Sequence, residues 1–443
     1  MKLYSVIKKS VLAIMVLCIF ACVFTGCRTV SVVTMDEMYI NDNGELILSY
    51  SDGSEQNLGV VVGSDGKDGE DGRDGEDGKD GTGGNVTIIG GADDATDSVY
   101  AVTQGLQSAV DVIATFGEGE RDKPDEYYIS QGSGVIYKLD KATGDAFIIT
   151  NYHVVYDNDV EENNGISKDI DIYLYGYELA GKEISAEYVG GSINYDIAVL
   201  RVEDSELLRN AQVKEVTVAD SALALVGEAA IAIGNPEGMG ISATYGIISV
   251  DSEYITLEPI DGSTSIDYRV MRVDTPVNLG NSGGGLFNST GELIGIVNAK
   301  RDSVENMGYA IPSNLAIAAA NNIIDNCFEK ECDCVQRVLL GIMLQIVDSY
   351  TEYDETTGIL RIHETVQVQS IMDEETGKYL KVGDIVKSVS RNGGDALDVY
   401  RQYQILDFML DARKGDIITL NVLRDGMEVP VSIAIEERHL NDY

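Results

Sequence analysis

Basic residues are scarce: 32 Lys and Arg stand against 74 Asp and Glu, for a formal net charge of −42. So acidic a surface repels phosphate backbones and excludes nucleic acid as a partner. Cysteine is sparse too, with six in 443 residues and no paired Cys-x-x-Cys spacing. That excludes a disulfide scaffold and a structural zinc site. The N-terminal apolar run, Val11 to Phe24, stops at 14 residues, short of the about 20 that a spanning helix needs. What remains is ordinary for a packed chain, 44% apolar and 24% charged, which rules out wholesale disorder. At about 150 residues per domain the length predicts about three folding units.

Lys2, Lys8 and Lys9 precede the apolar run, the pattern of a secretory signal. The run closes on Phe24-Thr25-Gly26-Cys27. This ending resembles the bacterial lipoprotein box and implies a signal peptide of residues 1–26 and a lipidated Cys27, although Phe24 replaces the usual Leu. Simple secretion and an uncleaved anchor are the alternatives. The expected location is the extracytoplasmic face of the cell membrane, held there by acyl chains.

Residues 27–62 predict a short β-meander, with Asn43-Gly44 and Asp52-Gly53 as its turns. So small a piece buries no useful core and serves as a spacer. Nine of the 47 glycines fall within Gly63 to Gly84, and Asp precedes Gly in six consecutive triplets, Asp65 through Asp80. The period matches collagen but Pro is missing, and the nine-residue calcium repeat is absent. An extended, self-repelling linker over residues 63–98 is the expectation.

From 99 onward the chain breaks into short runs rich in Val, Ile and Tyr: Gly134–Leu139, Phe147–Thr150, Ile170–Tyr175, Ile197–Val202, Ala229–Ile233, Tyr245–Val250, Arg269–Val273 and Leu293–Val297. Regularly spaced short strands with no long helical period predict an antiparallel barrel or sandwich. Three signatures sit at strand ends. His153 follows an apolar run, Asp196 opens another, and Ser282 lies in the glycine-dense Gly280-Asn281-Ser282-Gly283-Gly284. Each alone reads as an ordinary loop or turn residue. Together they supply the nucleophile, base and orienting carboxylate that acyl transfer requires. The glycines allow a sharp turn in which the N–H groups of Gly280 and Ser282 converge on one oxyanion.

In these motifs, and in Gly132-Ser133-Gly134-Val135-Ile136, Ile233-Gly234-Asn235-Pro236-Glu237-Gly238 and Gly308-Tyr309-Ala310-Ile311-Pro312, the chain resembles the HtrA (Deg) family of trypsin-like serine proteases. The resemblance implies a mainly β, chymotrypsin-like double barrel over residues 99–328, with His153 as general base, Asp196 as its carboxylate and Ser282 as nucleophile. Leu279 and Gly285 depart from the family's prolines and predict a looser oxyanion loop. No cofactor or metal is implied. The floor of the specificity pocket, an Asp in tryptic relatives, is Pro276 here, and Ile296, Val297 and Asn298 are expected as a wall. Cleavage after small aliphatic residues follows. The resemblance also implies protein or peptide substrates, misfolded or exposed segments of envelope proteins, and a homotrimer. A non-proteolytic chaperone or scaffold on the same fold is the rival reading.

Ser313 is the expected N-cap of a helix reaching about Phe328. Cys327, Cys332 and Cys334 follow, and a disulfide from Cys327 to one of the others is open. Residues 329–443 resemble the α+β PDZ domain of the same family, with one helix from about Val399 to Asp411. There Leu339-Leu340-Gly341-Ile342 matches the carboxylate-binding loop. The resemblance implies that a peptide adds to the Ile342–Ile346 strand by β-augmentation.

Overall fold

The computed structural model describes residues 35–41, 45–51, 53–60, 97–117, 128–160, 162–257, 259, 261, 265–300, 306–328 and 335–442. The signal sequence, Cys27, Asn43-Gly44, Asp52, the Gly/Asp repeat, Cys332 and Cys334 lie outside these residues. Among the described residues no helix is long and apolar enough to cross a membrane.

The chain divides at Val86. In the first unit, β1 (Met35–Ile40), β2 (Glu45–Tyr50) and β3 (Glu55–Val60) form an antiparallel sheet in sequential order.

The second unit opens with a helix that the strand-rich reading missed, α1 (Asp97–Leu106). Six strands then close a barrel: β4 (Ala109–Phe116), β5 (Tyr128–Asp140), β6 (Asp145–Thr150), β7 (Asp169–Leu174), β8 (Ile184–Ser192) and β9 (Ile197–Val202), in the order β4-β5-β6-β9-β8-β7. A second barrel repeats the pattern with β10 (Ala229–Gly234), β11 (Ser242–Leu257), β12 (Ile266–Val273), β13 (Gly285–Phe287), β14 (Leu293–Lys300) and β15 (Gly308–Pro312), in the order β10-β11-β12-β15-β14-β13.

The period of two explains why both faces of several strands are apolar. On β9, Ala198, Leu200 and Val202 fill the first barrel with Val110, Ile148 and Ile172. Its other face, Ile197 and Val199, packs with Ile231, Ile296 and Phe287 in the seam between the barrels. The α2 turn (Tyr152–Val155) follows β6, and α3 (Ser313–Cys327) closes the seam with Ala316, Ala319 and Ile323. Ser313 is the first helical residue and Pro312 the N-cap, because the Ser313 hydroxyl donates to the Ala219 carbonyl (2.7 Å) and caps nothing.

The C-terminal module adds β16 (Gln336–Val338), β17 (Ile342–Asp354), β18 (Ile359–Ile371), β19 (Ile385–Arg391), β20 (Leu397–Asp398), α4 (Gln402–Leu410), β21 (Ile417–Arg424), β22 (Met427–Ala434) and β23 (Leu440–Asp442). Its sheet runs β17-β18-β19-β21-β22, which leaves β17 at an edge. The helix starts later than expected: Val399 still donates to the Lys387 carbonyl, and Gln404 Oε1 accepts the Arg401 backbone N–H (2.8 Å). Ion pairs tie α4 to the second barrel. Arg401 bridges Glu364 (2.8 Å) and Asp251 (2.9 Å), and buried Arg269 pairs with Asp407. Breaking one such buried pair leaves an uncompensated charge, so the contact holds the module in one orientation.

Candidate active site

The first barrel supplies two of the three groups. After β6, Val154 and Val155 plug the turn into the barrel core and leave His153 partly exposed. Asp196 adopts φ +49, a conformation that non-glycine residues hold only when the surroundings enforce it. Asn151 enforces it here, donating Nδ2–H to the Asp196 carbonyl (2.7 Å). In this pose Asp196 Oδ2 lies 2.7 Å from His153 Nδ1, and Oδ1 accepts the His153 backbone N–H (3.0 Å). A third donor, Asn298 Nδ2, reaches Oδ2 at 2.7 Å from the second barrel. Burial disfavours a charge on His153, but the charge and hydrogen bond of Asp196 outweigh it and hold the imidazole pKa above its ordinary value. The contact also fixes the tautomer: Nδ1 keeps its proton and Nε2 is left as the base.

The second barrel supplies Ser282, in the loop between β12 and β13. Gly280 (φ +93) and Gly283 (φ +85) bend that loop. A Cβ on Gly283 would lie 2.1 Å from the Ser133 carbonyl and 2.4 Å from Thr150 Oγ1, so glycine alone lets the loop press against the His153 turn. Ser133 stitches the two barrels together: its N–H donates to the Ser282 carbonyl and its hydroxyl to the Gly280 carbonyl, both at 2.7 Å. The Ser282 hydroxyl donates to the Asn298 carbonyl (3.1 Å).

The Leu279–Gly280 peptide decides what the loop offers. Its carbonyl accepts the Glu237 N–H (2.8 Å). A trans peptide points its N–H opposite to its carbonyl, so the Gly280 N–H faces away from Glu237. The Leu279 side chain is exposed, and Gly285 sits where a Cβ would strike the Phe287 ring at 2.4 Å.

The expected pocket wall needs correction. Ile296 is buried in the seam between the barrels and presents no pocket surface. Val297 points into the second barrel, in one cluster with Val277 and Ala310. Asn298 joins Asp196 to Ser282 and is not a wall residue. Pro276 is exposed, with its carbonyl accepting from Thr244 Oγ1 (2.9 Å). Val277 went unnoticed in the sequence; a Cβ on Gly308 would meet its Cγ2 at 2.7 Å.

The carboxylate-binding loop is corrected in one place. Leu340, 5% exposed, belongs to the core of the C-terminal module. Leu339 is 41% exposed. Gly341 adopts φ +64, and its carbonyl accepts the Met372 (2.7 Å) and Asp373 (3.2 Å) N–H groups. The Ile342 N–H of that same planar peptide therefore points the other way.

Comparison with known proteins bears on this geometry. A family profile described as the trypsin-like peptidase domain matches residues 132–296. Serine protease Do-like HtrA of Bacillus subtilis (strain 168) is 31% identical over 358 residues, 78% of this chain and 72% of that protein. Serine protease Do-like HtrA of Lactococcus lactis subsp. lactis (strain IL1403) is 34% identical over 312 residues, 67% of this chain and 68% of that protein. Among solved structures, the HtrA-type protease AlgW with tripeptide aligns with a TM-score of 0.48 and 25% identity, over 78% of this chain and 97% of that one.

Proposed function

The chain belongs to the HtrA family of trypsin-like serine proteases and is a serine endopeptidase; on that footing we propose that Ser282 is its nucleophile, His153 the general base and Asp196 the carboxylate that orients it. The observation that carries this reading is the double contact of Asp196 with His153, at the side chain and at the backbone. To react, the Ser282 hydroxyl leaves the Asn298 carbonyl and turns to His153 Nε2. The oxygen attacks the scissile carbonyl as Nε2 takes the proton, and the imidazolium is stabilised by Asp196. The oxyanion that forms is held by the Gly280 and Ser282 N–H groups. His153 then returns the proton to the leaving amine, and water repeats the sequence on the acyl-enzyme. Hydrolysis of an unfolded protein by the wild type and not by Ser282→Ala tests the assignment.

The substrate side chain before the cleaved bond is a small aliphatic one. The supporting feature is Pro276, which stands in the place of a charged floor. Asp274, two positions earlier, has its carboxylate engaged by the Ile247 N–H (2.6 Å).

Membrane attachment runs through Cys27, on the strength of the sequence that ends there. Cys27→Ser is expected to abolish the mature, detergent-partitioning form. A mutant that fractionates and migrates like wild type would refute the anchor.

The C-terminal module acts as a PDZ domain that recruits peptide C-termini at the β17 edge, next to the outward Ile342 N–H. Gln402 Nε2 donates to the Leu344 carbonyl on that edge (3.0 Å), so an added strand must displace it. Amidation of an apolar C-terminal peptide is expected to weaken binding by about 1.5–3 kcal/mol, the scale of a hydrogen bond to a charged group. Equal affinity of acid and amide forms, by fluorescence polarisation, would count against carboxylate capture.

A further inference from the structure

Residues 436–442 hold both ends of the Leu339-Leu340-Gly341-Ile342 loop. At its start β16 pairs with β23, with Val338 opposite Leu440, and the Leu339 N–H donates to the His439 carbonyl (2.7 Å). His439 is 1% exposed, and its Nδ1 accepts the Glu436 N–H (3.0 Å), which fixes the turn that leads into β23.

At the end of the loop stands Asp373. Its N–H and that of Met372 donate to the Gly341 carbonyl, at 3.2 and 2.7 Å. The packing is close, since a Cβ on Gly341 would lie 2.5 Å from the Asp373 Cβ. Asp373 is in turn fixed through its carboxylate. Oδ1 accepts the Thr376 N–H (2.7 Å), and both oxygens lie 2.6 Å from Arg438 Nη1. Arg438 Nε donates to Glu436 Oε2 (2.9 Å), which ties the guanidinium to its own turn. An unbroken path of hydrogen bonds thus runs from Arg438 through Asp373 to the Gly341 carbonyl. The Ile342 N–H belongs to the same planar peptide as that carbonyl, so its direction follows from where Asp373 is held.

We propose that Arg438 is a positioning residue for peptide capture: through Asp373 it aims the Ile342 N–H at the terminal carboxylate of a bound peptide. This rests on the reading of the C-terminal module as a PDZ domain. A purely electrostatic role for Arg438, as a positive charge near the bound carboxylate, makes the opposite prediction for its partner. On that view Asp373 repels the ligand, and removing it tightens binding. As a link in the path, its removal weakens binding. The pair is intact at neutral pH, because the hydrogen bonds from Arg438 hold the Asp373 carboxyl well below the usual carboxylate range. Its side chains are 35% and 26% exposed, and ion pairs so placed add little to stability. Its loss therefore acts on the loop and not on the fold.

The test uses the full-length protein carrying Ser282→Ala, so that ligands stay intact. The probes are fluorescein-labelled decapeptides ending in Val, Leu or Phe, each as free acid and as amide, read by fluorescence polarisation at pH 7. The parent protein is expected to prefer acid over amide about 10- to 100-fold. In Arg438→Gln and in Asp373→Ala that preference should fall to about threefold or less, through weaker acid binding, while amide affinity stays within about twofold. The double variant should be no worse than the worse single one, because both cut one path. Thermal midpoints should match the parent. An acid preference retained in Arg438→Gln, tighter acid binding in Asp373→Ala, or losses that multiply in the double variant would overturn the proposal. If Arg438→Gln does not fold, Asp373→Ala decides alone by the same ratio. A parent protein that binds acid and amide alike would instead sink carboxylate capture itself, and the proposal with it.

Discussion

Replacing Ser282 with alanine is expected to lower kcat on an unfolded protein substrate by about four to six orders of magnitude, the scale on which removing a triad nucleophile acts. The fold should be untouched, because the one side-chain bond lost is the hydroxyl's to the Asn298 carbonyl. Thermal midpoint and peptide binding by the C-terminal module should therefore match wild type. His153→Ala should be about as damaging, since the two act as a unit. The pH profile follows from the same geometry. His153 must be neutral to accept a proton, and Asp196 raises its pKa. The rise of wild-type kcat/KM with pH is thus expected above the ordinary imidazole value of about 6.5. A Ser282→Ala protein that still hydrolyses within tenfold of wild type would remove the residue from the chemistry.

The second large effect is on substrate choice. A Lys or Arg side chain entering the pocket would find Pro276, and no carboxylate, at the floor position. An unpaired buried charge costs several kcal/mol, and each 1.36 kcal/mol is a factor of ten in rate. Peptides with Val or Ala before the cleaved bond should be cut at least about a thousandfold faster, in kcat/KM, than the same peptides with Lys. Mass spectrometry of a casein digest should show small aliphatic residues at the cut sites. A majority of Lys and Arg there would contradict the pocket. The acidic surface works in the opposite direction by drawing basic peptides in, so the digest separates attraction from fit.

The three residues proposed as the triad stand out because each sits in a local pattern that needs no third dimension to recognise. Strand β9 was read with its observed limits, since Ile197–Val202 is apolar on both faces. Strands such as β8, Ile184–Ser192, were missed because Glu187 and the Gly190-Gly191 pair break the apolar run while the barrel still buries its alternate residues. Helix α1 was missed at the edge of a strand-rich stretch. Its Gly105 reads as a breaker in sequence, yet it packs where a Cβ would strike Ile233 at 2.5 Å.

Long-range roles were beyond the reach of local pattern. Asn298 was taken as pocket wall because it follows Ile296 and Val297. A register shift between Val297 and Ala299 accompanies its bond to Asp196, 102 residues away in sequence. Leu340 was placed in a binding loop by motif, whereas the fold uses it as core.

The most direct measurement is covalent labelling. A fluorophosphonate reacts with a serine oxygen only where a base accepts its proton and donors stabilise the new oxyanion. Intact mass should show one adduct on the wild type, tandem mass spectrometry should place it on Ser282, and Ser282→Ala and His153→Ala should stay unlabelled. An adduct on another residue, or equal labelling of wild type and His153→Ala, would contradict the assignment of Ser282, His153 and Asp196.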